Sequence, residues 1–243
     1  MQIPAWKLQI SQSDRAAAKF RLIRGKGAGS WLEAIPTEEI LALKPDKFRL
    51  AACLRLDIPA PFVNWNIQCQ CGNLADEYHL TCKHGGGPVW QHDEIVNAWS
   101  TCLHELNIHH EKEPRHRYSG NENRPDIVVY DSWCSYDLDV TMAHPFSQNT
   151  LKQAALEEGF AAARREERKM IKYEKQQLAG NTSSLNFTPL VFEHFGTWGS
   201  EATNYLNTLT RRSRDIEGYI NEADFRRKFL EEKILNNLTT MQR

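Results

Sequence analysis

The chain has 243 residues, of which 41% are hydrophobic and 25% are charged, as in an ordinary globular protein. Because 30 Lys and Arg balance 31 Asp and Glu, the net charge neither requires nor excludes a nucleic-acid partner. No apolar run approaches the roughly 20 residues that span a bilayer, and the N-terminus lacks a signal-peptide pattern. We therefore expect an intracellular protein that is not secreted and has no membrane partner.

Residue patterns predict four regions along the chain. A helical region over 1–66 precedes a Cys- and His-rich segment over 67–88, and a helical extension over 201–243 follows the central region, 89–200. The central elements are an amphipathic helix over 89–106, strands over 108–115, 126–130 and 136–142, one continuous helix over 151–178 and a strand over 187–195. This order predicts an α/β core with a mixed central sheet flanked by helices.

Four side chains that suit zinc lie within fourteen residues, namely Cys69, Cys71, His79 and Cys82. Their number and type match a closed tetrahedral zinc site. His84 is close enough to replace His79, and ordinary reduced thiols are the alternative. A closed site has no open position for water, so we predict a structural zinc ion.

Two carboxylates lie on neighbouring strands of the predicted sheet. Asp126 begins one strand and Asp139 lies on the polar face of the next, beside Asp137 and Thr141. Asp126 could be a turn residue, whereas an unpaired Asp139 would cost several kcal/mol to bury. A carboxylate pair with phosphate oxygens and water is how proteins hold Mg²⁺. Asp137 and Glu113 remain competing carboxylates.

The segment RPDIVVYD…DLDVT resembles the PD-(D/E)xK nuclease pattern, through Pro125-Asp126 and Asp139-Val140-Thr141. Three further motifs extend the likeness. They are the zinc knuckle formed by Cys69, Cys71, His79 and Cys82, the GGG…HD helix start at Gly85–Asp93, and the KxxxY segment Lys169–Tyr173. Together these motifs resemble the restriction-like endonuclease domain of non-LTR retrotransposon polyproteins, over roughly residues 27–210.

The resemblance implies a restriction-endonuclease-like core and a Mg²⁺- or Mn²⁺-dependent DNA endonuclease. Such a nickase leaves a 3′ hydroxyl that primes reverse transcription. It also implies a nuclear location and, besides DNA, RNA and the reverse-transcriptase region of a parent polyprotein as partners.

One position departs from the pattern, because Thr141 occupies the place of the usual lysine. The resemblance implies that the lysine has moved to Lys169, with Lys172 and Lys152 as alternatives. The other interpretation is that Lys169 belongs only to a solvated helix face. The implied catalytic residues are Asp126, Asp139 and Lys169, with His92, Glu94, Lys172 and Tyr173 as support. The expected DNA contacts are Arg115, Arg117, Arg165, Arg168 and Lys172.

Two other functions fit the same residues. Thr141 favours a zinc-containing nucleic-acid binding module that has lost cleavage. A junction-resolvase-like nuclease, which would act as a symmetric dimer, is the further alternative.

Overall fold

A computed structural model describes residues 14–26, 28–29, 32, 44–63, 68–73, 82, 84, 87–114, 124–130, 135–178, 186–194 and 196–215. The helices are α1 (Asp14–Arg24), α2 (Pro45–Leu56), α3 (Gly87–Glu105), α4 (Leu151–Ala154), α5 (Phe160–Leu178) and α6 (Ser200–Asp215). The strands are β1 (His110–Lys112), β2 (Ile127–Tyr130), β3 (Ser135–Ala143) and β4 (Phe187–Glu193). None of the helices in these ranges combines the length and apolarity needed to cross a membrane.

The four strands form one mixed sheet in the order β1-β2-β3-β4. β1 and β2 are antiparallel, as are β2 and β3, whereas β3 and β4 are parallel. The parallel pair requires a crossover connection, which contains α4 and α5. Pro189 is tolerated because β4 is an edge strand of this sheet. The predicted α/β class with a mixed sheet is therefore confirmed.

The main hydrophobic core lies on one face of the sheet, beneath α3 and α6. Trp99 of α3 is fully buried there, and its ring lies near those of Phe192, Trp198 and Tyr205. Leu138 and Val140 of β3 join the same cluster, followed by the partly buried Met142.

The opposite face of β3 is polar, as its alternation predicts, and it lies against α5. Ala161 and Ala162 of α5 pack on Ala143 and Val191 in a small cluster of their own. Asp137, Asp139 and Thr141 on this face are all buried. The polar residues of β3 are therefore enclosed between sheet and helix.

The predicted continuous helix over 151–178 is wrong, because the helical backbone ends at Ala154 and resumes at Phe160. Gly159 has a positive φ of 72°, a conformation that breaks the helix and that glycine adopts without strain. Glu193 of β4 then accepts a hydrogen bond from the Ala162 N–H at 2.9 Å. This buried carboxylate satisfies one of the unpaired amides in the first turn of α5.

Of the strand predicted over 108–115, residues 110–112 form β1, and the helical region predicted over 1–66 contains α1 and α2. Ala18 and Leu22 of α1 pack against Phe146 and the α4 segment. The Thr197 hydroxyl donates to the Leu22 carbonyl at 2.8 Å. Lys19, which is 3% exposed, forms an ion pair with Asp57 just after α2. The predicted extension beyond residue 215 lies outside the described residues.

Candidate functional site

The structure brings Asp126 and Asp139 together at the same level of two neighbouring strands. Asp126 lies just before β2, and its Oδ2 accepts a hydrogen bond from the Val140 N–H at 2.6 Å. Val140 is the next residue after Asp139, so this bond fixes the first carboxylate beside the second. The Asp126 side chain is 15% exposed and that of Asp139 is 7% exposed.

Two residues of α5, one turn apart, reach Asp139. Lys169 Nζ forms an ion pair with Asp139 Oδ2. The Tyr173 hydroxyl donates to Oδ1 at 3.0 Å, and its ring stacks on Phe187 with centroids 3.6 Å apart. Residues four apart share a helix face, and the Lys169 ammonium and the Tyr173 hydroxyl are both directed at Asp139 of β3. Of the alternative lysines, Lys172 and Lys152 are both exposed.

Burial raises the pKa of Asp139, and the negative charge of Asp126 raises it further. The nearby ammonium of Lys169 and the hydrogen bonds from Lys169 and Tyr173 oppose this shift. The two carboxylates therefore interact electrostatically in a largely desolvated position. A positive charge, such as that of Lys169, stabilises two carboxylates that lie so close together.

His92 of α3 lies on the other side of Asp126. Its Nε2 is 3.2 Å from Asp126 Oδ2, and its Nδ1 is 3.2 Å from Asp93 Oδ1. The hydrogen bond with Asp126 is the main cause that raises the pKa of His92 to about 9, so the imidazole is protonated at neutral pH. Glu94 is half-buried and, within the described residues, has no hydrogen bond or ion pair with either carboxylate.

Thr141, which is 6% exposed, is held by an arginine. Nε and Nη2 of Arg165 each donate to the Thr141 hydroxyl oxygen at 3.2 Å. Arg165 precedes Lys169 by one turn of α5, so two cations of this helix cover two same-face residues of β3. The sequence patterns missed this pairing, although the i, i+4 spacing of Arg165 and Lys169 was a signal for it.

The other residues predicted to contact DNA divide into two groups. Arg168 and Lys172 are exposed on α5. Arg115 and Arg117 lie outside the described residues.

Three of the four predicted zinc ligands lie close together. The sulfur atoms of Cys69, Cys71 and Cys82 all lie within 4.8 Å of one another, and those of Cys69 and Cys82 are 3.6 Å apart. Zn–S bonds of about 2.3 Å in a tetrahedron place the sulfur atoms about 3.8 Å apart. The three cysteines therefore fit a metal ion such as zinc. His79 lies outside the described residues, and His84 is exposed.

A tight turn presents the first two of these thiols. The Gly72 N–H donates to the Cys69 carbonyl at 2.8 Å, and Gly72 has a positive φ of 88°. The backbone N–H of Asn73 is the main cause that lowers the pKa of Cys71 to about 6, and the Asn73 side chain donates to the same sulfur at 3.4 Å. Burial raises the pKa of Cys82. The turn thus stabilises the thiolate form of Cys71, which is the form that binds a metal ion.

Comparison of the chain with known protein families matches none of them. Comparison with curated proteins also gives no match.

Proposed function

We propose that the chain is a metal-dependent DNA endonuclease of the PD-(D/E)xK type, with Asp126, Asp139 and Lys169 in its active site and a structural zinc ion in its cysteine cluster. The observation that carries this proposal is the convergence of two carboxylates from neighbouring strands with one lysine from α5. Many nucleases with a restriction-like fold use this combination of groups, so the resemblance seen in the sequence and the geometry support the same activity.

The carboxylate pair fits a divalent cation of the Mg²⁺ or Mn²⁺ kind. Its donors are hard carboxylate oxygens, which these ions prefer. Within the described residues, Asp126 Oδ1 accepts no hydrogen bond, so one ligand position is open. When bound, the cation would lower the pKa of a water ligand and neutralise charge on the phosphoryl group.

The residues of the chain have separate roles around this pair. Tyr173 fixes the orientation of Asp139 by donating to Oδ1. Lys169 holds a positive charge at Oδ2, where it stabilises an attacking hydroxide and the negative charge that develops on phosphate. His92 holds Asp126 in place from the side of α3. In the retrotransposon setting, the product would be a nick with a 3′ hydroxyl that primes reverse transcription in the nucleus.

The proposal is tested with supercoiled plasmid DNA and Mg²⁺, with conversion to open circle as the readout. We expect wild type to nick, and Asp139→Asn to abolish nicking while it leaves DNA affinity largely intact. The matched control is Glu174→Gln, which removes an exposed carboxylate from α5 and should nick at the wild-type rate. Nicking that persists in Asp139→Asn would contradict the site assignment.

The lysine is tested by a paired comparison. Lys169→Met should lower the nicking rate on the order of 100-fold or more, since it removes charge stabilisation at the reacting centre. Lys172→Met, one turn further along α5, should retain most of the rate because this lysine is exposed. The reverse order of effects would assign the role to Lys172.

A second function has a specific observation in its favour. Thr141 is neutral at the position where the motif has lysine, which would suit a DNA-binding module without cleavage. Binding of the plasmid without nicking in Mg²⁺ or Mn²⁺ would support that function. Faster cleavage of branched than of linear DNA would instead support a junction-resolvase activity.

A further inference from the structure

We propose that Arg165 binds a DNA phosphate beside the one that is cleaved, and that Thr141 is the residue that positions the Arg165 guanidinium for this contact. This inference rests on the proposed function, because it assigns a further part of the same site. It begins from the two hydrogen bonds that join Arg165 to Thr141.

These bonds orient the guanidinium. Nε and Nη2 both lie 3.2 Å from one hydroxyl oxygen, so the plane of the fork is defined relative to β3. Thr141 is 6% exposed and forms part of the parallel pair with β4, opposite Val191, so its own position is fixed. An exposed arginine side chain is thereby anchored at its tip to a rigid strand.

Arg165 and Lys169 differ in whether a negatively charged group neutralises them. Lys169 is paired with a carboxylate, whereas the partner of Arg165 is an uncharged hydroxyl. Among the described residues no carboxylate forms an ion pair with Arg165. A guanidinium carries five N–H groups, and only two of these donate to Thr141, so the remaining donors can bind an anion.

The position of the Arg165 guanidinium indicates which anion it binds. Thr141 lies two residues beyond Asp139 on the same face of β3, which is roughly 6.6 Å along the strand. Arg165 and Lys169 are separated by roughly 6 Å along α5. The guanidinium therefore lies beside the carboxylate site and not within it. A planar fork of donors matches a phosphate group, and phosphates repeat along a DNA strand next to the cleaved position.

The test measures DNA affinity without cleavage. A fluorescent linear duplex is titrated with full-length protein in a buffer that contains no chelator and no added Mg²⁺ or Mn²⁺, at several salt concentrations, and each variant is first checked for a wild-type melting temperature. Arg165→Gln should weaken binding about tenfold and reduce the salt dependence by the equivalent of about one phosphate contact. The control Arg211→Gln removes an exposed cation from α6, on the opposite side of the sheet, and should change neither quantity.

Thr141 is tested through its hydroxyl. Thr141→Val should weaken binding a few-fold, whereas Thr141→Ser keeps the acceptor and should bind like wild type. In an Arg165→Gln background, Thr141→Val should have no further effect, because a positioning residue acts only through the residue it positions. Additive losses would refute the positioning role, and equal affinities of Arg165→Gln and Arg211→Gln would refute the phosphate contact.

Plasmid nicking in Mg²⁺ separates this inference from the proposed function. Nicking by wild type together with unaltered binding by Arg165→Gln would overturn the phosphate site alone. The expected binding pattern without any nicking would overturn the endonuclease and leave Arg165 as a contact to a DNA phosphate beside the carboxylate pair. A wild-type protein that does not bind the duplex would overturn both.

Discussion

Gly199→Ala tests how α5 is fixed to the rest of the fold, and hence how Lys169 and Tyr173 are placed. Gly199 immediately precedes α6, and its backbone lies outside the left-handed region. A Cβ atom there would lie 2.8 Å from the Glu166 carboxyl carbon and would overlap one of its oxygens. The φ of Gly199 therefore tolerates alanine, but the carboxylate must move, and the Val191 carbonyl oxygen, 3.2 Å from the same Cβ, must give by a few tenths of an ångström.

The displaced Glu166 side chain has two partners in the first turn of α6. It accepts a hydrogen bond from the Ser200 hydroxyl at 2.8 Å and one from the Glu201 N–H at 3.0 Å. Loss of such a cap costs about 1–2 kcal/mol, and the polar groups left buried cost about 1–3 kcal/mol more. Alanine recovers about 0.4–1 kcal/mol through the entropy of the unfolded chain. We expect a net loss of about 2–3 kcal/mol, or a melting temperature lowered by roughly 4–12 °C.

The assay is thermal and urea unfolding of wild type, Gly199→Ala, Glu166→Ala and the double variant. Once Glu166→Ala has removed the carboxylate, Gly199→Ala no longer meets it and should change stability by less than about 1 kcal/mol, in either direction. An equal cost of Gly199→Ala in both backgrounds would refute the steric reasoning. A wild-type melting temperature for Gly199→Ala would refute the close approach itself.

Three further predictions concern the cysteine cluster, Asp139 and the interface with α1. Cys69→Ser should release zinc and lower the melting temperature, so one bound equivalent at an unchanged melting temperature would exclude this ligand. Tyr173→Phe keeps the stacked ring but removes the hydroxyl donor to Asp139, so it should cost about 1–2 kcal/mol in urea unfolding and slow plasmid nicking. Burial, followed by the charge of Arg15, lowers the pKa of His144 from 6.5 to about 4, and its ring contacts those of Phe146 and His194. The unfolded chain binds this proton more readily, so up to roughly 3 kcal/mol should be lost as pH falls from about 6.5 to 4, with no loss above that range. His144→Phe should be less sensitive to pH than wild type over the same interval, and an equal sensitivity would contradict the assignment.

The sheet was predictable because its pattern is local. Alternation along β3 separates Leu138 and Val140 from Asp139 and Thr141, and a period of two residues is a property of a single strand. Together with the strand start at Asp126, this pattern places Asp126 and Asp139 on neighbouring strands. Both predictions required only that the two strands pair.

The break before α5 was not predictable from local composition. Residues 151–178 favour a helix throughout except at Gly159, and one glycine costs a helix only about 1 kcal/mol. The first turn of α5 is instead capped by Glu193, 31 residues away from Ala162 in sequence. The bounds of α1 within the predicted helical region were not predictable for a similar reason, since its packing partners Phe146 and Thr197 lie far along the chain.

The cation at Asp139 comes from a residue that is distant in sequence but lies over the same face of β3. The nuclease pattern expects lysine two residues after the second carboxylate, where this chain has Thr141. The proposed chemistry requires a positive charge at Asp139 Oδ2, and any basic side chain long enough to cross the same face of β3 can supply it. Thr141 is short and uncharged, so it leaves room above the strand and offers an oxygen to Arg165.

Arg165, Lys169 and Tyr173 recur every four residues on α5, and all three contact the polar face of β3. Four residues advance a helix by 40° more than one turn, so this stripe remains on one side of α5 over its length. The contacts therefore join two kinds of spacing. On β3 the acceptors Asp139 and Thr141 are two residues apart, and on α5 their three partners are each four residues apart. A lysine at position 141 would remove the hydroxyl oxygen that accepts from Arg165 and would place a second positive charge against the guanidinium, so the threonine and the helical cations depend on each other.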